Sequence, residues 1–413
     1  VNAARKLTHL LLGALLLILL GGSWHPGAPF LGSHRSATSP AATPRPAHRG
    51  ASAIAAVAGP AVPVPVPVPQ LSFDFPRADL PQAPGVASLA IPGRNGIYLV
   101  PYIQTQPDLH FRVRVQDAPP GSVVEVVLDQ GAHNARAARA SPPTYDGDFS
   151  NVEPGDHRLV AEVYLDQPGG TRLASAELTH VARGDIVAAI GDSTTEGNGG
   201  AYFPFMPNWV SALANAADWT SPDGRNFPQA GAFARPEAPA SFTSTLGTIL
   251  EQQRQHPVLV LNDGWSGATT QSYRDISSSH DLAAEYAAAQ PNSWIINLGV
   301  NDPLIHASAV DFAANMRAVL QTLSTRYGAR NADIHVACPT YAKDRRHDGE
   351  ATYLPLIDQL RGAAGLGAAP NFFSYFRDNP SAIADEVHPN ATGYRDMAAL
   401  WARALQGQGW SCS

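Results

Sequence analysis

After Arg183 the chain alternates short apolar runs with stretches of helical periodicity, and no other feature constrains the fold as much. The runs are 186–190, 258–261, 294–298, 334–337 and 372–376. Between two of them Val310, Phe312, Met316, Val319, Leu320, Leu323 and Tyr327 recur at helical spacing, and 393–405 reads as a closing helix. A strand that is apolar on both faces must be covered on both faces, so the pattern predicts a parallel, doubly wound sheet between two helical layers. Ligands of such sheets sit at the carboxyl ends of the strands, where the chemistry is expected.

Residues 71–183 follow a different rule. Phe111, Val113 and Val115 alternate with His110, Arg112 and Arg114, the period of a strand with one wet face. Residues 123–128 form a β-branched run. Leu159, Ala161, Val163 and Leu165 alternate with more polar neighbours, and Asp166-Gln167-Pro168-Gly169-Gly170 offers a hairpin turn before a strand over 173–181. The expectation is a small antiparallel β-sandwich at 71–183, ahead of an α/β domain at 184–408.

The first 70 residues are neither. Arg5-Lys6 precedes an apolar run of 11 residues, Leu10 to Leu20, against roughly 20 needed to span a bilayer. Residues 1–24 therefore read as a secretory signal peptide, or as an uncleaved anchor that would be the chain's one membrane contact. Residues 25–70 hold ten prolines among Ala, Gly, Ser and Arg. Proline lacks an amide donor and fixes φ, so this stretch reads as a disordered, extended linker. These signals place the protein outside the cell or in the cell envelope.

Charge narrows the partners. The formal net charge is −7, and all five basic residues of 1–73 stand without an acidic neighbour, so the remainder carries 23 basic groups against 35 acidic ones. A body this acidic repels phosphate backbones, and a nucleic-acid partner is not expected. Composition leaves the oligomeric state open. The two cysteines, Cys338 and Cys412, are compatible with a disulfide or with two separate thiols, and they lack the spacing of a zinc site.

Four stretches that follow predicted strands carry the chemistry. Gly191-Asp192-Ser193-Thr194-Thr195-Glu196-Gly197 places a serine where a buried strand turns into a helix, although Gly-Asp-Ser alone is also cap and turn chemistry. Asn262-Asp263-Gly264-Trp265-Ser266-Gly267-Ala268-Thr269-Thr270 is a glycine-rich loop whose amides are unshielded. Gly299-Val300-Asn301-Asp302 offers a side-chain amide at the same level. Asp385-Glu386-Val387-His388 puts a carboxylate three residues before an imidazole, which can serve a serine as base near neutral pH.

In this order the four blocks resemble the SGNH, or GDSL, hydrolase superfamily, over about residues 185–405. The resemblance implies a three-layer α/β/α sandwich that needs no metal or organic cofactor. It further implies Ser193 as nucleophile, His388 as base and then acid, and Asp385 as the orienting carboxylate. The oxyanion hole would combine the backbone N–H groups of Ser193 and Gly267 with the Asn301 side-chain amide. Trp265, beside that loop, is the candidate substrate contact. The aromatics Tyr202, Phe203, Phe205, Trp209, Trp219, Phe227, Phe233 and Phe242 either line a substrate pocket or form core.

The resulting expectation is an exported serine esterase of short acyl groups, acetyl foremost, on a small molecule or a carbohydrate. A lipase, thioesterase or acyltransferase shares the same triad. A non-catalytic glycan-binding or adhesion protein is the alternative of another class.

Overall fold

The computed structural model describes residues 68–78, 85–93, 96–131, 133–139, 143–197, 219–220, 226–227, 241–274, 282–344 and 349–413. The apolar run 10–20, the proline-rich stretch up to residue 67 and the aromatics Tyr202, Phe203, Phe205, Trp209 and Phe233 lie outside the described residues. Among the described residues no helix is long and apolar enough to cross a membrane.

The first part is all strand: β1 (Gln70–Phe75), β2 (Ser88–Gly93), β3 (Gly96–Pro101), β4 (Ile103–Gln104), β5 (Leu109–Gln116), β6 (Val123–Leu128), β7 (His133–Arg139), β8 (Thr144–Phe149), β9 (Gly155–Tyr164) and β10 (Arg172–Arg183). A three-stranded sheet, β1-β5-β8, shares a core with a five-stranded sheet, β4-β10-β9-β6-β7. Neighbours are antiparallel except β4 with β10. The period of two in β5 does what it predicts. Leu109, Phe111, Val113 and Val115 are buried, while His110, Arg112 and Arg114 face outward to Asp148, Asp146 and Asp74. Leu165 continues the alternation of β9 in sequence but lies beyond the strand end and is exposed.

The second part runs β11 (Asp185–Gly191), α1 (Ser193–Glu196), β12 (Trp219–Thr220), β13 (Asn226–Phe227), α2 (Phe242–Arg254), β14 (Val258–Gly264), α3 (Thr270–Arg274), α4 (Leu282–Ala289), β15 (Ser293–Asn297), α5 (Ala309–Tyr327), β16 (Ile334–Val336), α6 (Leu354–Ala364), α7 (Phe372–Asp378) and α8 (Ala391–Ala404). Four of these strands form a parallel sheet in the order β14-β11-β15-β16. Residues of β11 alternate between two cores. Ile186, Ala188 and Ile190 pack with α4, α5 and α6, and Val187 and Ala189 with α2, α7 and α8. The result is the expected α/β/α sandwich. Because β11 has one successor on each side, its carboxyl end is the topological switch point, the place where ligands of such sheets bind.

Both parts lie within one compact unit, Val64–Ser413. The hairpin β2–β3 packs on α4, and Ile91, Val100 and Ile103 join the same core as Ile186 and Tyr286.

One expectation is corrected. Residues 372–376 are not a strand but the start of α7. Asn371 caps it by accepting the Ser374 N–H at 2.9 Å, and Phe372 and Phe376, four residues apart, bury one face beside Trp401. Among the described residues a single bridge, Cys338 to Asn371, continues the sheet at that edge. Val310 stands on the exposed side of α5 at 76% exposure, outside the buried stripe of Phe312, Met316, Val319, Leu320 and Leu323. The question of the cysteines is answered: Cys338 and Cys412 form a disulfide with Cα atoms 5.5 Å apart.

Candidate active site

Strand β11 is buried from Ile186 onward and stops at Gly191. Asp192 then takes an extended conformation, and its side chain accepts the Thr194 N–H at 2.9 Å. That cap starts α1 one residue after the strand, so Ser193 occupies the first helical position at the carboxyl edge of the sheet. Its hydroxyl lies 2.9 Å from His388 Nε2, and His388 Nδ1 lies 2.8 Å from Asp385 Oδ2.

The loop that delivers the histidine is fastened at its base. Ile383 and Pro389 form an antiparallel bridge, the Ala384 N–H donates to the His388 carbonyl at 2.8 Å, and Asn390 caps α8 directly afterwards. Within the loop, Asp385 Oδ1 accepts the amides of Val387 and His388, each at 2.7 Å. Burial pushes the Asp385 carboxyl upward, but these amides and the imidazole outweigh it and hold it down at about 2. An ionised carboxylate only accepts, so it requires N–H at Nδ1. The neutral ring then presents the Nε2 lone pair to the Ser193 hydroxyl.

Gly191 pairs with Gly264 of β14 on one side and with Asn297 of β15 on the other, so the loops after all three strands meet at one edge. Gly264 has no room for a side chain: a Cβ there would lie 2.1 Å from the Glu196 backbone nitrogen. The next residue, Trp265, donates its N–H to the Gly191 carbonyl at 2.9 Å, and Gly267 turns the loop at φ +77°. Asn301, 6% exposed, donates through Nδ2 to the Ala268 carbonyl at 3.0 Å. An amide nitrogen carries two hydrogens, so a second remains beyond that bond. Among the described residues, the backbone N–H groups of Ser193 and Gly267 meet no acceptor.

The structure thus brings Ser193, His388 and Asp385 into one hydrogen-bonded chain and ties the loops of Gly267 and Asn301 together beside it. Trp265 is half-buried against the core formed with α4 and α5, with its backbone committed to the loop. Phe242 is wholly core, in α2. Trp219 and Phe227 lie in β12 and β13, and their side chains are outside the described residues.

Three supporting residues carried no role in the sequence reading. Asp302 is fully buried and accepts both the backbone N–H and the hydroxyl of Thr270, which anchors the loop of Asn301 to the start of α3. Tyr273 donates its hydroxyl to the carbonyls of Gly191 and Asp263, across the ends of β11 and β14. Asp192 is buried, and burial pushes its carboxyl up to about 7, with the charge of Asp302 adding to the shift and Thr194 and His388 opposing it. Asp192 and Asp302 stood inside the quoted blocks. Tyr273 gave no signal, because a tyrosine in an amphipathic turn reads as core. Among the described residues no group of three or more His, Cys, Asp or Glu is placed to hold a metal ion.

Such an arrangement can generate a nucleophilic alkoxide and receive a negatively charged oxygen. Residues 189–395 match the model of the GDSL-like lipase/acylhydrolase family. No curated protein matches the chain. Among solved structures, an active-site mutant of a family two carbohydrate esterase from Clostridium thermocellum is 14% identical, with 82% of this chain and 98% of that one covered and a TM-score of 0.37. The psychrotrophic esterase EstA from Pseudoalteromonas sp. is 14% identical, with 54% and 97% covered and a TM-score of 0.36. The lipase Lip_vut3 from a goat rumen metagenome is 15% identical, with 55% and 99% covered and a TM-score of 0.38.

Proposed function

Because the chain belongs to the GDSL-like lipase/acylhydrolase family and is a carboxylic ester hydrolase, we propose that it is an exported serine esterase that removes short acyl groups, acetyl foremost. The observation that carries this reading is the chain of contacts from Ser193 Oγ to His388 Nε2 at 2.9 Å and from His388 Nδ1 to Asp385 at 2.8 Å.

In this mechanism His388 takes the hydroxyl proton as Ser193 Oγ attacks the ester carbonyl carbon. The carbonyl oxygen becomes an oxyanion, received by the N–H groups of Ser193 and Gly267 and by the Asn301 amide. Collapse of the tetrahedral intermediate breaks the bond to the alcohol, which leaves with the proton from His388. Water, deprotonated by the same ring, then attacks the acyl-serine. The carboxylic acid leaves, and the proton returns to Ser193. Asp385 keeps the ring in the tautomer that both half-reactions use.

The Cys338–Cys412 disulfide supports the export reading, since such bonds persist in oxidising compartments. An acylated carbohydrate is the substrate class we put forward, because export and an additional β-rich part fit an extracellular polymer.

The test compares wild type with Ser193→Ala on nitrophenyl esters of increasing chain length and on an acetylated oligosaccharide. Fast turnover of the acetyl ester by wild type alone is the expected result. Equal rates for both proteins would overturn the serine mechanism, and a maximum at eight or more carbons would replace the acetyl esterase by a lipase. Binding of the oligosaccharide without hydrolysis of any ester would favour a glycan-binding protein.

A further inference from the structure

We propose that Glu196 is a positioning residue for the oxyanion hole: it links the helix that carries the nucleophile to the loop that carries Gly267, and the proposal rests on the reading of the site given above. Glu196 ends the single turn of α1 that Ser193 begins. Its Oε2 accepts the backbone N–H of Ser266 at 2.8 Å. A carboxylate acceptor makes this a charge-assisted bond, stronger than one between neutral groups.

The loop needs such an anchor. Ser266 and Gly267 are both exposed, and a Cβ built on Gly267 would touch nothing within 4 Å, so packing does not hold this turn. Its two ends are held by Trp265 N–H on the Gly191 carbonyl and by Asn301 Nδ2 on the Ala268 carbonyl. Between them the side chain of Glu196 is what reaches the loop from the nucleophile's own helix. Two further contacts keep that helix and strand β14 in register: Asn262 Nδ2 donates to the Glu196 carbonyl at 3.4 Å, and Gly264 abuts the Glu196 backbone. The distance from Ser193 to the Gly267 N–H is therefore set along a short path, one helical turn and one hydrogen bond.

Oxyanion donors work only when they are already aimed at the developing charge, and misplacement by about 1 Å can cost about 10²-fold in rate. The geometry acts on the transition state and not on ground-state binding, so the loss should fall on kcat.

The experiment uses the full chain as wild type, Glu196→Ala and Glu196→Gln. The readouts are kcat and KM on nitrophenyl acetate, the pH profile, the rate of fluorophosphonate labelling and amide hydrogen exchange at Ser266. Glu196→Ala is expected to lower kcat about 10- to 100-fold with KM changed less than about threefold and the acid limb of the profile unmoved. Labelling should slow in parallel, since the phosphonyl oxygen occupies the oxyanion position, and the Ser266 amide should lose protection. Glu196→Gln keeps an acceptor oxygen and should restore most of the rate and the protection. Unchanged Ser266 protection in Glu196→Ala overturns the proposal, as does a kcat within about twofold of wild type or a failure of Gln to rescue. A wild-type protein inert toward both the ester and the fluorophosphonate overturns the esterase reading instead.

Discussion

Asn301 donates a side-chain N–H to the Ala268 carbonyl at 3.0 Å, so the loop after β15 holds the loop after β14. One side chain thus both fixes the neighbour of Gly267 and keeps a hydrogen for the site.

Replacing Asn301 by Ala should therefore lower kcat for a short-chain ester by about 10²- to 10³-fold, the usual cost of one oxyanion donor. KM should stay within a few-fold, because the donor meets charge that exists only in the transition state. Steady-state kinetics beside a thermal melt check this; a loss confined to KM would remove Asn301 from the oxyanion hole.

Asp385→Asn should leave the loop folded, since an amide oxygen can still accept from Val387 and His388. The amide nitrogen would then face His388 Nδ1 and force the proton onto Nε2, where it blocks acceptance from Ser193. A fall in kcat of about 10⁴-fold at neutral pH is expected. In the wild type this carboxyl is held down at about 2. Its stabilising contribution is in full force above the unfolded value of about 4 and is lost only as pH falls through about 2. Loss of activity in mild acid must then come from another group, and a wild-type acid limb that tracks protonation of Asp385 would contradict the assignment.

Burial raises the Asp192 carboxyl to about 7 against about 3.9 in the unfolded chain. Below about pH 4 both states hold the proton. Between about 4 and 7 only the folded state does, so stability falls as pH rises, by up to about 4 kcal/mol in total. Asp192→Asn keeps an acceptor for the Thr194 N–H and removes the titration. Urea unfolding at pH 5 and pH 8 should show a smaller difference for the variant, and parallel profiles would exclude a titrating Asp192.

The disulfide closes a loop of 74 residues, which in the chain-entropy picture restricts the unfolded state by about 4 kcal/mol. The C-terminal tail has further ties: Asp358 accepts the Cys412 N–H at 2.9 Å, and Asn371 donates to the Ser411 carbonyl at 2.6 Å. Cys338→Ser with Cys412→Ser should therefore fold and unfold at a lower temperature, by about 2 to 4 kcal/mol in stability. An unchanged melting midpoint would show that the tail's hydrogen bonds suffice.

The sequence by itself determined what depends on local period and on residue type. The apolar run 186–190, one of several alternating with helical stretches, reads as a strand covered on both faces, and the alternation in 109–116 as a strand with one wet face. The blocks around Ser193, Gly267 and Asn301 were legible because each follows a strand whose carboxyl end must face the same way as its parallel neighbours, and the block of His388 because a carboxylate stands three residues before the imidazole, although it follows helix α7 and not a strand. Tertiary structure decided the rest. Residues 372–376 are an apolar run too short for period to classify, and a cap at Asn371 with packing on Trp401 made them helix. The pairing of Cys338 with Cys412, the burial of Ile91 in the core of the α/β part and the reach of Glu196 to Ser266 all join residues far apart in sequence. Which partner a loop or a side chain meets is set by strand order and by the layers packed on the sheet, and neither is written in the spacing of the residues themselves.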